Sequence, residues 1–219
     1  MRLIDLSHTI ENGLITYKGI PAPIICDYLS REASRALYSA GTEFQIGRID
    51  MVANTGTYLD TPFHRYADGM DLADLPPESV ASLECLVAHV ESRTGRAINA
   101  LPFSAAEVRG RAVLVHTDWA RHWRTNAYFE GFPYLTGGLA EWLREAGAAL
   151  VGIDSHNIDC TDGGERPVHS TLLRAGIPIV EHLCELGDVP ERGSRFSAVP
   201  VKVRGMGTFP VRAYAALDL

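Results

Sequence analysis

Thr136-Gly137-Gly138-Leu139-Ala140-Glu141-Trp142-Leu143-Arg144-Glu145-Ala146-Gly147-Ala148-Ala149-Leu150-Val151-Gly152-Ile153-Asp154 reads as a helix, a turn and a strand in direct succession. Thr136 can cap the helix, and its hydroxyl would satisfy an amide of the first turn. Leu139, Trp142 and Leu143 share one face, and Gly147 can end the helix in a left-handed conformation. Ala149–Ile153 is then a continuous apolar run, the pattern of a strand buried on both faces, and it stops at Asp154. A capped helix feeding a buried strand predicts an α/β chain.

The pattern extends both ways from this unit. Leu86–Val90 and Ala112–His116 read as strands, and Ser104-Ala105-Ala106-Glu107 between them is a capping box opening a short helix. Pro167–Ala175 reads as a helix with proline in its first turn and Gly176 at its end. Ile177–Val180 follows as a strand interrupted by Pro178, and Ala198–Val203 and Pro210–Ala216 read as closing strands. The N-terminal third reads as β structure: Leu3–Leu6, Pro23–Tyr28, and Phe44–Val52 with Phe44, Ile46, Ile49 and Val52 as its apolar positions. Asp60–Asp71 reads as a loop punctuated by Pro62 and Gly69.

The 219 residues are 46% hydrophobic and 21% charged, enough for a packed core and too apolar for disorder. No stretch has linker composition, so residues 1–219 are expected to form a single domain. The net charge of −7 carries no basic stripe, which argues against nucleic acid as a partner. Met1–Thr9 lacks the apolar run of a signal peptide, and no run approaches the roughly 18 apolar residues that would cross a bilayer. Cys26, Cys85, Cys160 and Cys184 are scattered without a C-x-x-C pair and read as reduced thiols of a cytoplasmic protein.

Scaffold strands aim loop residues into clefts, so polar groups at strand ends are where chemistry is expected. Asp60 and His64 stand in Asn54-Thr55-Gly56-Thr57-Tyr58-Leu59-Asp60-Thr61-Pro62-Phe63-His64 as an acid/base pair or as ligands of one metal. In an arbitrary chain, an Asp capping a turn and a His packed on Phe63 would be about as common. Asp154 ends a buried strand, where it faces a site or satisfies loop amides. His169 and Glu181 lie on adjacent elements and can reach one cavity, although an isolated His is more often structural. Gly205-Met206-Gly207-Thr208-Phe209-Pro210 is either a turn or a pocket wall of backbone amides. Trp119, Trp123 and Trp142 read as core or interface residues.

Taken together and in this order, these segments resemble the bacterial cyclase family, which includes kynurenine formamidases and isatin hydrolase. The family pattern H-x-G-T-H-x-D-x-P-x-H is similar to Asn54–His64, and its H-x-x-L-L-x-x-G-I-x-I-V-E segment to His169–Glu181. Its G-I-D strand end resembles Gly152-Ile153-Asp154, and its start resembles Ile4–Ile10. The resemblance implies a mixed, barrel-like β core with flanking helices (a swivelling β/β/α arrangement). It implies a homodimer or homotetramer acting on a small-molecule substrate by hydrolysis or closure of an amide-, lactam- or ester-type bond. It also implies that the two leading histidines and the Asp hold a divalent metal, that the later His and Glu complete or support that site, and that the last His is the acid/base.

At the two leading positions this sequence has Asn54 and Tyr58. Imidazole is a good ligand for zinc or manganese, Asn offers a weaker carbonyl oxygen, and a phenol binds well only once deprotonated. Three readings stay open. In the first there is no metal: His64 is the base, Asp60 orients it, and Tyr58 and Asn54 donate to an oxyanion, a site suited to cyclisation or dehydration by a cyclase or lyase. In the second, Asp60, His64, His169 and Glu181 hold a relocated zinc or manganese. In the third, the protein binds a ligand without turnover. Gly56, Thr57, Arg65 and Tyr66 are expected at the substrate, Arg65 as partner of a carboxylate.

Overall fold

The computed structural model describes residues 1–90 and 95–217. Its strands are β1 (Arg2–Asp5), β2 (Ile24–Leu29), β3 (Ile46–Asp50), β4 (Tyr58–Asp60), β5 (Leu83–His89), β6 (Ala97–Ile98), β7 (Ala112–His116), β8 (Tyr134–Leu135), β9 (Leu150–Ile153), β10 (Ile179–Glu181), β11 (Ser194–Ser197), β12 (Thr208–Pro210) and β13 (Tyr214–Leu217). The α-helices are α1 (Arg31–Ser34), α2 (Ala105–Val108), α3 (Gly137–Ala146) and α4 (Pro167–Arg174).

Nine strands form one mixed sheet in the order β1-β13-β11-β5-β7-β9-β10-β4-β12. The central β5, β7, β9 and β10 are parallel neighbours, and the flanking strands pair antiparallel. The sheet curls. Ile4, Ala215, Phe196, Val87, Leu114, Leu150, Val180 and Leu59, from eight consecutive strands, meet in one apolar cluster, and Phe209 of the ninth packs against it. A flat sheet would not bring its two edges to a common core, so the fold is a mixed α/β half-barrel. The other face of the parallel strands, with Val113, Val115, Val151 and Ile153, packs against α2, α3 and α4 through Val108, Leu139, Leu143, Val168 and Leu172. Both faces are therefore buried, as the apolar runs require.

The caps are where the sequence places them. Ser104 and Glu107 form both bonds of the capping box, Thr136 accepts from the Leu139 amide, and Gly147 closes α3 at φ 80°. The C-terminal expectation needs correction. Residues 198–203 are irregular, with the strand at Ser194–Ser197, because Pro200 cannot donate to a ladder and the Ala198 amide bonds to Val80. The run Pro210–Ala216 is divided: β12 pairs with β4 at one edge of the curl, and β13 pairs with β1 and β11 at the other. The loop expected over Asp60–Asp71 contains a 3₁₀ turn, Pro62–His64. Strands β2 and β3 form a separate two-stranded sheet, and Phe44 and Ile49, two apolar positions of the expected strand, are 54% and 57% exposed. No helix among the described residues is long and apolar enough to cross a membrane.

Candidate active site

Strand alternation sets the site. Leu59, Val180 and Phe209 point into the curl, so Tyr58, Asp60, Glu181 and Thr208 point to the opposite face, where α4 lies. Asp60 sits across from both Ile179 and Thr208 in the register, and α4 brings His169 above it. The 3₁₀ turn after β4 brings His64 back over the same strand.

Asp60 is fully buried. Its Oδ1 accepts from the Thr208 hydroxyl and lies 3.7 Å from His64 Nδ1. Its Oδ2 has no hydrogen-bond partner and lies 3.7 Å from His169 Nε2. A buried carboxylate oxygen without a donor is costly, and the open valence marks a place for a proton, a water or a cation. His169 is fixed from behind: Asp159 accepts from its Nδ1 at 2.7 Å and from the Val168 and His169 amides at the start of α4. Its Nε2 is 3.8 Å from Glu181 Oε1. Burial pulls the His169 imidazole down, but Glu181, Asp159 and Asp60 together push it up to about 10.

Glu181 is also fully buried, and both of its oxygens have partners. The Ile158 amide donates to Oε1 at 2.6 Å and the Tyr58 hydroxyl to Oε2 at 2.5 Å. Tyr17 follows in the same chain, with its hydroxyl 2.6 Å from that of Tyr58. Burial and the Glu181 charge hold both phenols well above their ordinary range, so they are neutral. Beyond Tyr17 lie His182, His156, Tyr128 and Trp123, and Trp123 stacks on His8. The polypeptide contributes Tyr17, Asp159 and Thr208 to this constellation, Tyr17 and Thr208 through hydrogen bonds across long stretches of chain and Asp159 through bonds to the nearby start of α4.

The expected site residues separate into two groups. Asp60, His64 and His169 converge, each offering one ligand atom within 4.8 Å of the others, and Glu181 stands beside them. Tyr58 is adjacent, but its proton is committed to Glu181, so it is not free to donate to an oxyanion in this arrangement. Asn54 lies half-buried in the bend before β4, and among the described residues no hydrogen bond ties it to the cluster. Gly56 and Thr57 are used internally: the Gly56 amide donates to Thr16, and Thr57 donates to the His182 carbonyl and accepts from the His8 amide. Tyr66 donates to the Ser170 carbonyl of α4, while Arg65 is exposed above Ser170. Asp154 takes the scaffolding role, accepting from the Thr117 and Asp118 amides and the Thr117 hydroxyl. Gly207 is a close approach, since a Cβ there would sit 2.1 Å from the His64 nitrogen.

The donor set fits a divalent cation. Asp60 Oδ2 is open, His169 is backed by a carboxylate as metal-bound histidines usually are, and the mixed N/O set suits zinc or manganese.

A family model described as putative cyclase matches residues 4–160. A kynurenine formamidase of Bacillus cereus is 27% identical over 212 residues, covering 96% of this chain and 95% of that protein. A solved structure titled as a potential metal-dependent hydrolase with cyclase activity superposes with a TM-score of 0.77 at 25% identity, covering 98% of this chain and 96% of that one. Isatin hydrolase A from Ralstonia solanacearum shares the fold with a TM-score of 0.81 at 21% identity, over 99% and 92% of the two chains.

Proposed function

The chain belongs to the cyclase family and is an enzyme of that family, and on that premise we propose that it hydrolyses an amide-type bond in a small molecule, a formamide or a lactam. The observation that supports this reading best is the convergence of Asp60, His64 and His169 around the unpartnered Asp60 Oδ2. The kynurenine formamidase and isatin hydrolase names of similar proteins point to the same bond class.

His64 is the group that moves protons. Its side chain is 35% exposed, in contrast to the buried Asp60 and His169, so it can meet both water and substrate. It takes a proton from the water that attacks the carbonyl carbon and returns it to the departing nitrogen, giving a carboxylic acid and an amine. Asp60 and Thr208 hold its ring. His169, held by Asp159, lines the floor. A divalent cation held by Asp60 and His169, with His64 at its edge, would supply Lewis-acid polarisation of the carbonyl.

Wild-type protein is expected to hydrolyse formanilide or isatin, and His64→Gln to lower kcat about a hundredfold or more while leaving the fold intact by circular dichroism. An unchanged rate in His64→Gln would overturn the role of His64. Turnover of neither compound by wild type, against ring-closing activity on an open-chain amino acid, would favour the cyclase direction of the same chemistry.

The assembly belongs to the same proposal. Ile24, Tyr28, Phe44 and Ile49 expose apolar surface on the β2–β3 hairpin, and an isolated two-stranded sheet is marginal without a partner. A second copy of the chain covering this hairpin, as in a homodimer, accounts for that surface.

A further inference from the structure

We infer that Thr208 is a positioning residue that fixes the tautomer of His64, linking it to Asp60 through a hydroxyl relay. Asp60 and His64 do not bond directly, being 3.7 Å apart. Between them stands the Thr208 hydroxyl, which donates to Asp60 Oδ1 and lies 2.8 Å from His64 Nδ1. A hydroxyl has one proton. With that proton on the Asp60 carboxylate, Thr208 offers His64 only lone pairs, so Nδ1 must be the donor. The neutral ring is then held as the Nδ1–H tautomer, and its Nε2 keeps a lone pair for the reacting proton.

The backbone around Thr208 is built for this contact. Thr208 is the register partner of Asp60, so its side chain stands beside that carboxylate on the same face of the sheet. The preceding Gly207 lies so close to His64 that any side chain would collide with its backbone, and the Gly207 carbonyl accepts from both the amide and the hydroxyl of Thr61. The strand carrying Thr208 is thus clamped to the segment carrying both Asp60 and His64. Thr208 is buried, so water does not replace its hydroxyl in the relay.

The catalytic meaning rests on the proposed role of His64 as acid/base, whereas the relay itself is read independently of turnover. Long-range ¹H–¹⁵N NMR of the full chain, at a pH where the ring is neutral, reports which nitrogen of His64 carries the proton. The expected result is a hydrogen-bonded, slowly exchanging Nδ1–H in wild type and in Thr208→Ser, and loss of that protected signal in Thr208→Val. An Nε2–H tautomer in wild type would overturn the relay, as would an Nδ1–H signal unchanged in Thr208→Val. Turnover of formanilide or isatin, measured on the same samples, separates the two ideas. Hydrolysis that needs His64 but is indifferent to Thr208→Val sinks the catalytic role of the relay alone, and a protected Nδ1–H in a protein that hydrolyses neither compound sinks the hydrolase reading alone. A kcat loss in Thr208→Val restored by Thr208→Ser supports both.

Discussion

Glu181 is a carboxylate sealed from solvent, with Tyr58 and the Ile158 amide as its donors. Tyr58→Phe removes one donor and leaves an oxygen buried with less compensation. Unfolding by urea is expected to show a loss of about 1–3 kcal/mol, and an unchanged midpoint would mean that Glu181 does not depend on Tyr58. At this scale the sequence was informative about residue type. Asp60, His64, His169 and Glu181 stood out as carboxylates and imidazoles, and the resemblance to the cyclase family gathered them into one site. The roles of Tyr17, Asp159 and Thr208 were not legible, Thr208 standing only within the Gly205–Pro210 segment, since each acts through a hydrogen bond whose geometry only the folded chain supplies. Thr208 meets His64 across 144 positions of sequence and Tyr17 meets Tyr58 across 41. Asp154 shows the converse: a conspicuous strand-end carboxylate that serves the loop amides around it.

At the scale of elements, the legible parts are those with local signals. The capped helices and the apolar strands of the parallel core need only their own residues and their immediate neighbours. Thr136→Ala is expected to lower stability by about 1 kcal/mol through loss of the α3 cap, read in the same urea unfolding. The β2–β3 hairpin was legible as strands but not as exposed strands, because alternation does not say which side is covered. The C-terminal run was misread as longer strands because its pairing partners are chosen by the curl of the sheet, and β12 and β13 serve opposite edges. Gly207→Ala belongs to this scale too. A methyl at 2.1 Å from the His64 nitrogen forces β12 off β4, so loss of activity with a lowered melting temperature is expected, and a fully active Gly207→Ala would contradict the packing described.

For the whole molecule, buried histidines set the acid limit of stability. Burial lowers His8 and His156 to about 4 and places His182 well below its ordinary value. The unfolded chain takes up these protons below about 6.5 and the fold refuses them. Their contribution is intact above pH 6.5 and is lost as pH falls towards 4. Without a bound cation, His169, raised to about 10, has the opposite sign, and its contribution is present below 6.5 and fades as pH rises towards 10. From pH 7 to pH 5, His8 and His156 are each expected to remove about 2 kcal/mol. His156→Phe, placed among Tyr17, Phe129 and Phe132, should flatten that slope in urea unfolding at the two pH values. An undiminished slope would shift the acid sensitivity to other groups.

The hydrolytic centre itself is tested most directly by elemental mass spectrometry on protein purified without chelator, wild type beside Asp60→Asn and His64→Gln. About one zinc or manganese per chain is expected in wild type, with that metal retained in His64→Gln and lost in Asp60→Asn. A wild-type protein that is folded, metal-free and unable to take up added metal would contradict it, as would an Asp60→Asn variant that binds as much metal as wild type.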